Sequence, residues 1–210
     1  MLFGGTFDPP HLAHTSLADH ARRAIEAREG GKALLAFVPA ARSPHKADAP
    51  EATNAQRVQM LRLATNELDL STVWTDELDR AAANEPSYWF STLQRTRACI
   101  GSRTLAFIIG ADQAAQFHRW REPRAMLELA RPLVLPRGSI ASAVALRREL
   151  AESGFWNEKE LDRWAESFVE VDAVQAASTD VRDAKGGVQD TPLRPNVLAY
   201  VKAQGLYGMS

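Results

Sequence analysis

The chain reads as an α/β protein, a doubly wound Rossmann-like parallel sheet. Three observations predict it. Short apolar runs recur along the chain without polar alternation, as in strands covered on both faces. Helix-length amphipathic stretches separate them, giving a βαβα order. Glycines follow two of the apolar runs, at Gly4-Gly5 and Gly110, where such sheets bind ligands beyond the carboxyl ends of their strands.

Met1-Leu2-Phe3 is a short first strand leading into Gly4-Gly5. A helical pattern runs from about His14 to Arg28, and Gly30-Gly31 stops it as a C-terminal cap. Ala33 to Val38 reads as a buried strand. A second helix spans about Asn54 to Glu67, with Asn54 as its N-cap. A third runs from Ser87 to Ile100, Ser87 capping it, and Thr104 to Ile109 is the next strand. Pro132 to Leu135 is another, and Phe168 to Val171 a weaker one. Ala141 to Ser153 is helical, and the segment from Ala141 to Trp164 reads as peripheral and without chemistry. Arg194 to Gln204 forms the last helix, with Pro195 in its first turn and Gly205 closing it. No repeat or low-complexity stretch appears, so residues 1–210 are expected to form one domain.

Lys and Arg number 25 against 26 Asp and Glu, a formal net charge of −1. No global basic field therefore draws the chain to nucleic acid or a membrane surface, and any phosphate site must come from local groups. Cys99 is the single cysteine, which excludes an intrachain disulfide and suits a reducing compartment. The N-terminus does not read as a signal peptide, and no run of apolar residues is long enough to span a bilayer. The expected location is the cytoplasm.

The most informative stretch is Gly4-Gly5-Thr6-Phe7-Asp8-Pro9-Pro10-His11-Leu12-Ala13-His14. Glycines allow close approach of backbone to a phosphate, and a helix start offers N–H groups and the positive end of a dipole. His11 and His14, at i and i+3, share one helix face and can reach one anion. The arrangement suits a triphosphate, and no nucleophile is in evidence. The two histidines could instead ligate zinc, but a structural site needs four ligands and Cys99 is remote in sequence. There is no GxSxG and no Walker phosphate loop.

This segment resembles the (H/T)xGH signature of the nucleotidyltransferase superfamily. In its longer form, GGTFDPxHxGH, it is similar to bacterial nicotinate-nucleotide adenylyltransferases. Ala13 stands where that family usually has glycine. Further segments carry the likeness from Leu2 to Tyr207. Pro39 to Lys46 (PAARSPHK) resembles the family's loop ending in PHK or PHR, and the resemblance gives Lys46 a phosphate role while leaving His45 ambiguous. On the helix after that loop, Arg57 either contacts phosphate or holds the loop. Pro86-Ser87-Tyr88-Trp89-Phe90-Ser91-Thr92-Leu93 resembles PSYTxxTL, with Trp89 in place of threonine, either a pocket wall or a core residue. Phe107-Ile108-Ile109-Gly110-Ala111-Asp112 matches FIIGxD; Asp112 can accept from a ribose, cap a helix, or both. Trp120 follows at the position of the tryptophan that stacks on the pyridine ring. Ala177-Ser178-Thr179-Asp180-Val181-Arg182 resembles the second signature, ISSTxxR, although Ala176-Ala177 replace Ile-Ser. The tail LRPNVLAYVKAQGLY, from Leu193 to Tyr207, resembles the family's C-terminus.

The resemblance implies a nucleotidyltransferase-type fold and transfer of the adenylyl group of ATP to nicotinate mononucleotide. The products would be nicotinate adenine dinucleotide and pyrophosphate, in NAD biosynthesis. It places His14, His11, Lys46 and Arg182 in catalysis. Gly4, Gly5, Thr6, Phe7, Gly110, Asp112, Ser178 and Thr179 would lie beside ATP, and Tyr88, Trp89, Trp120 and Arg57 beside the second substrate. Magnesium would bind mainly through phosphate oxygens. A monomer or small homo-oligomer is expected. A sister transferase using nicotinamide mononucleotide, phosphopantetheine or another phosphate, and a non-catalytic nucleotide sensor, are the alternatives.

Overall fold

Leu2–Gly5 forms β1, the middle strand of a five-stranded parallel sheet in the computed structural model, which describes residues 1–41, 50–81, 88–170 and 192–209. The other strands are β2 (Leu35–Pro39), β3 (Ser71–Val73), β4 (Ala106–Gly110) and β5 (Arg131–Leu135), in the order β3-β2-β1-β4-β5. Every pairing is parallel. The strand order reverses between β1 and β4, the switch point at which doubly wound sheets open a ligand crevice.

The unalternating apolar runs have a direct cause. Leu2, Ala36, Val38, Phe107, Ile109 and Val134 pack into a core on one face of the sheet. The residues between them, Leu35, Phe37, Ala106, Ile108, Leu133 and Leu135, pack into a core on the other. Successive side chains point to opposite faces, so a strand covered twice is apolar at every position. A third cluster joins Met60 and Ala64 to Val197, Val201 and Tyr207.

The helices are α1 (Leu12–Glu29), α2 (Asn54–Thr65), α3 (Asp76–Ala81), α4 (Trp89–Ile100), α5 (Ala111–Ala115), α6 (Pro123–Leu129), α7 (Ala143–Glu152), α8 (Glu158–Glu166) and α9 (Pro195–Ala203). Gly30 ends α1 at a φ of 74°, its N–H donating to the Glu26 carbonyl. Pro195 sits in the first turn of α9, and Gly205 follows at a φ of 60°. Among the described residues no helix is long and apolar enough to cross a membrane.

Three expectations need correction. Thr53, not Asn54, caps α2, because its hydroxyl accepts from the Gln56 N–H while the Gln56 side chain accepts from the Thr53 N–H, a reciprocal box. Phe168 makes only an isolated parallel bridge to Val134, and Val171 lies outside the described residues. The 141–164 segment is not peripheral: Leu146, Leu150, Trp156, Leu161 and Trp164 are buried, and α7 and α8 close the first core cluster. The edge strand β3 and the helices α3, α5 and α6 are too short for periodicity to reveal.

Candidate active site

The signature begins where β1 ends. The Gly5 carbonyl accepts from the Ala40 N–H at 2.8 Å, so the chain leaves β1 and β2 side by side at the crevice. Gly4 and Gly5 are needed for space. A Cβ on Gly4 would lie 2.8 Å from the Trp89 ring, and one on Gly5 2.9 Å from the Phe7 ring. The room left by the missing side chains is filled by the protein's own aromatic rings.

Phe7 adopts a φ of 50°, rare for a bulky residue. Its ring is 1% exposed, packed edge-on against Phe3 (5.6 Å between centroids) and Phe37 (6.0 Å). The Phe7 ring therefore cannot face a nucleotide, and only its backbone remains for that part of the expectation. The ring instead supports His14, edge to face at 5.1 Å.

His11 is the N-cap of α1 and is buried. Its ring stacks on that of His14, 3.6 Å between centroids and 23° from parallel. The His11 N–H donates to His14 Nδ1 at 3.2 Å. An Nδ1 that accepts carries no proton, so neutral His14 holds its N–H at Nε2. Three contacts thus fix the ring and its tautomer. Two of the α1 amides are already engaged: Leu12 N–H donates to Pro192 at 2.9 Å, and His14 N–H to His11 at 3.0 Å.

Arg57 lies in the first turns of α2, fully buried. Its Nη1 donates to the carbonyls of Thr6 (2.7 Å) and Ala40 (2.8 Å), and its Nη2 to Asn54 Oδ1 (2.7 Å). Of the two roles open at the sequence level, loop-holding is the one this geometry serves. The guanidinium ties the signature to the root of the loop after β2, with Nη1 and Nη2 engaged by protein oxygens. Burial lowers its pKa, and the charge of Asp8 acts against that shift.

At the neighbouring strand, Gly110 caps α5, and Asp112 follows in the first turn. Asp112 Oδ1 accepts from the Gln113 N–H at 2.9 Å, and Oδ2 lies 3.2 Å from Arg137 Nε, just past β5. A Cβ on Gly110 would meet Asp112 Oδ1 at 2.7 Å. Asp112 is therefore not the helix N-cap that the sequence allowed, Gly110 holding that position, and its carboxylate is part-exposed.

Trp89 opens α4 and packs against Phe107 (6.4 Å) and the Gly4 backbone, so it belongs to the wall between β1 and β4. Tyr88 is the N-cap of α4 and is 39% exposed. Trp120 ends a single 3₁₀ turn, Phe117–Arg119, and leans on Phe117 at 5.0 Å. Pro86, Ser87, His45, Lys46, Ser178, Thr179 and Arg182 lie outside the described residues.

Sequence reasoning assigned nothing to Asp8, Tyr207 or Arg137. Asp8 sits within the signature, and Tyr207 within the C-terminal match, but the contact between them is long-range. Arg137 stands two residues past a strand end, the one local signal that could have found it.

The profile of the cytidylyltransferase-like family matches residues 2–184. The nicotinate-nucleotide adenylyltransferase of Salmonella typhi is 32% identical, over 98% of this chain and 97% of its own length. A protein of Stenotrophomonas maltophilia, named "Probable nicotinate-nucleotide adenylyltransferase", is 34% identical over 98% of this chain and 95% of its own. Among solved structures, the nicotinic acid mononucleotide adenylyltransferase of Plasmodium falciparum, complexed with NaAD, superimposes with a TM-score of 0.64. It covers all of this chain at 13% identity, so that likeness concerns the fold.

Proposed function

The chain belongs to the nicotinate-nucleotide adenylyltransferases of the cytidylyltransferase-like family, and from that premise we propose how its crevice joins ATP to nicotinate mononucleotide. The observation that carries the proposal is the fixed imidazole of His14 at the carboxyl end of β1. The 5′-phosphate of the mononucleotide attacks the α-phosphorus of ATP in line, a P–O bond to pyrophosphate breaks, and the dinucleotide is released. Protein nucleophiles take no part, so catalysis consists of positioning two anions and stabilising the charge that develops between them.

His14 serves that end by presenting an Nε2–H whose direction is set before substrate arrives. A preorganised donor needs no reorientation as charge builds up on the phosphoryl oxygens. His11 backs the ring and supplies the N–H that keeps Nδ1 an acceptor. Arg57 holds the signature against the loop that leads to Lys46. Lys46, Ser178, Thr179 and Arg182 supply cation, hydroxyls and amides to the triphosphate, a role that rests on their motifs. Gly110 and Asp112 border the nucleoside, and Tyr88 and Trp120 frame the pyridine.

Magnesium would be supplied together with ATP. The carboxylates beside the signature, Asp8 and Asp112, are already engaged by protein donors, which suits an ion held by phosphate oxygens and water. Bound there, it would neutralise phosphate charge. The test is a pyrophosphate-release assay with ATP, magnesium and a panel of phosphate acceptors. Release with nicotinate mononucleotide, with formation of the dinucleotide, is expected. ATP binding without product from any pyridine mononucleotide refutes the reading.

A further inference from the structure

Arg121 is the residue after Trp120, and its guanidinium carbon lies 4.6 Å from the centroid of the Tyr88 ring. Tyr88 is the N-cap of α4, whereas Trp120 follows the 3₁₀ turn after α5. The cation–π contact therefore ties the start of α4 to the residue that follows Trp120 in sequence and places a positive charge against the Tyr88 ring. Arg121 is exposed, and among the described residues no carboxylate pairs with it. The neighbouring arginine Arg124, by contrast, is engaged with Glu160 at 2.7 Å.

We propose that Arg121 determines specificity for an anionic pyridine, its guanidinium receiving the ring carboxylate of nicotinate mononucleotide. The proposal rests on the reading of Tyr88 and Trp120 given above. A ring lying on Trp120 directs its substituent to one edge of the stack. A guanidinium on the Tyr88 face offers that edge a fork of N–H donors that matches a carboxylate and has no acceptor for an amide NH₂. Nicotinamide thus meets donor with donor. Because the group is exposed, solvent screens the interaction, and the effect on selectivity is about tenfold rather than several hundredfold.

The experiment compares wild type, Arg121→Met and Arg121→Lys. Affinities for nicotinate and nicotinamide mononucleotides are read from tryptophan fluorescence without ATP, and kcat/KM for both with ATP and magnesium. In wild type the acid binds more tightly than the amide. Arg121→Met lowers the acid-to-amide ratio about tenfold in both readouts, and Arg121→Lys restores part of it, since charge is kept and the fork is lost. A ratio unchanged in Arg121→Met overturns the proposal, as does an equal loss for both ligands, which marks Arg121 as mere support for Tyr88. Selective acid binding that depends on Arg121 but leads to no adenylyl transfer refutes the transfer reading and leaves this one standing. Normal transfer with an unaltered ratio does the reverse. A wild type that binds neither mononucleotide overturns both.

Discussion

The phenol of Tyr207 donates to the carboxylate of Asp8, 199 residues away in sequence. Asp8 also accepts from the N–H groups of Glu51 (2.7 Å) and Ala52 (3.2 Å). The Tyr207 N–H in turn donates to the Glu51 carboxylate at 2.6 Å. Together with the Leu12–Pro192 hydrogen bond, this fastens the C-terminal tail to both ends of the His11 turn. The signature loop is thus braced from outside by the tail and from beneath by Arg57.

Tyr207 makes that brace pH-dependent. Burial pushes its phenol pKa well above the ordinary value of 10.0, and the hydrogen bond to Asp8 and the charges of Asp8 and Glu51 push it further. The folded protein therefore keeps a proton that the unfolded chain releases above pH 10. The stabilisation is complete below pH 10 and declines as pH rises beyond it. Thermal unfolding followed from pH 8 to 11.5 should show a steeper alkaline loss of Tm in wild type than in Tyr207→Phe. Near neutral pH the same variant should be less stable by about 1–2 kcal/mol, since Asp8 keeps its two backbone donors. Parallel curves for the two proteins contradict this account.

Arg57→Met tests the inner brace. It keeps much of the apolar stem but leaves the Thr6 and Ala40 carbonyls without their donor in a buried place. A loss of about 2–4 kcal/mol is expected in denaturant unfolding. Activity should fall through a raised KM for ATP, because the loop is displaced and no contact to substrate is removed. A stable Arg57→Met enzyme with normal KM and reduced kcat points instead to a direct role in the chemistry.

How far the site was legible in the sequence depends on how local each signal is. Strands β1, β2, β4 and β5, the long helices and the histidine pair follow from patterns a few residues wide, and they stand where expected. Arg57 shows the limit: a motif position cannot tell a cation facing a phosphate from one closing on two carbonyls. The 141–164 helices show another, because Trp156 and Trp164 look like any amphipathic residues until the chain folds them into the core. Trp89 and Gly4 are the clearest case. The glycine suggests room for a ligand, yet the indole beside it comes from a helix that lies far along the chain.

That pair gives a double-mutant test. Gly4→Ala places a methyl group 2.8 Å from the Trp89 ring, which must shift. Overpacking of this kind costs about 1–3 kcal/mol. Shortening the ring with Trp89→Leu should offset part of the loss in the double variant, a coupling readable from unfolding midpoints of the four proteins. Strict additivity would mean that the two positions do not share the space.

The last prediction separates the two nitrogens of His14. Nδ1 accepts the His11 N–H and orders the helix start, whereas Nε2 carries the N–H assigned to the developing phosphate charge. An asparagine amide can stand in for Nδ1 but does not reach the place of Nε2, and glutamine is long enough to reach it. His14→Asn should therefore fold with near wild-type stability and lose about 10²-fold or more in kcat, the scale of removing one charge-stabilising donor. His14→Gln should retain more activity than His14→Asn, because its amide N–H can reach the place of Nε2. His14→Ala loses both functions, so it should fall in kcat like His14→Asn and also in stability by about 1 kcal/mol, the His11 N–H having lost its partner. ATP affinity should change less than kcat in all three, since the contact tightens as charge develops. Steady-state kinetics with ATP titration, set beside thermal melts, decides the matter. Equal kcat losses in His14→Asn and His14→Gln would mean that the imidazole acts by more than its Nε2–H, and a near-normal kcat in His14→Asn would remove His14 from the chemistry altogether.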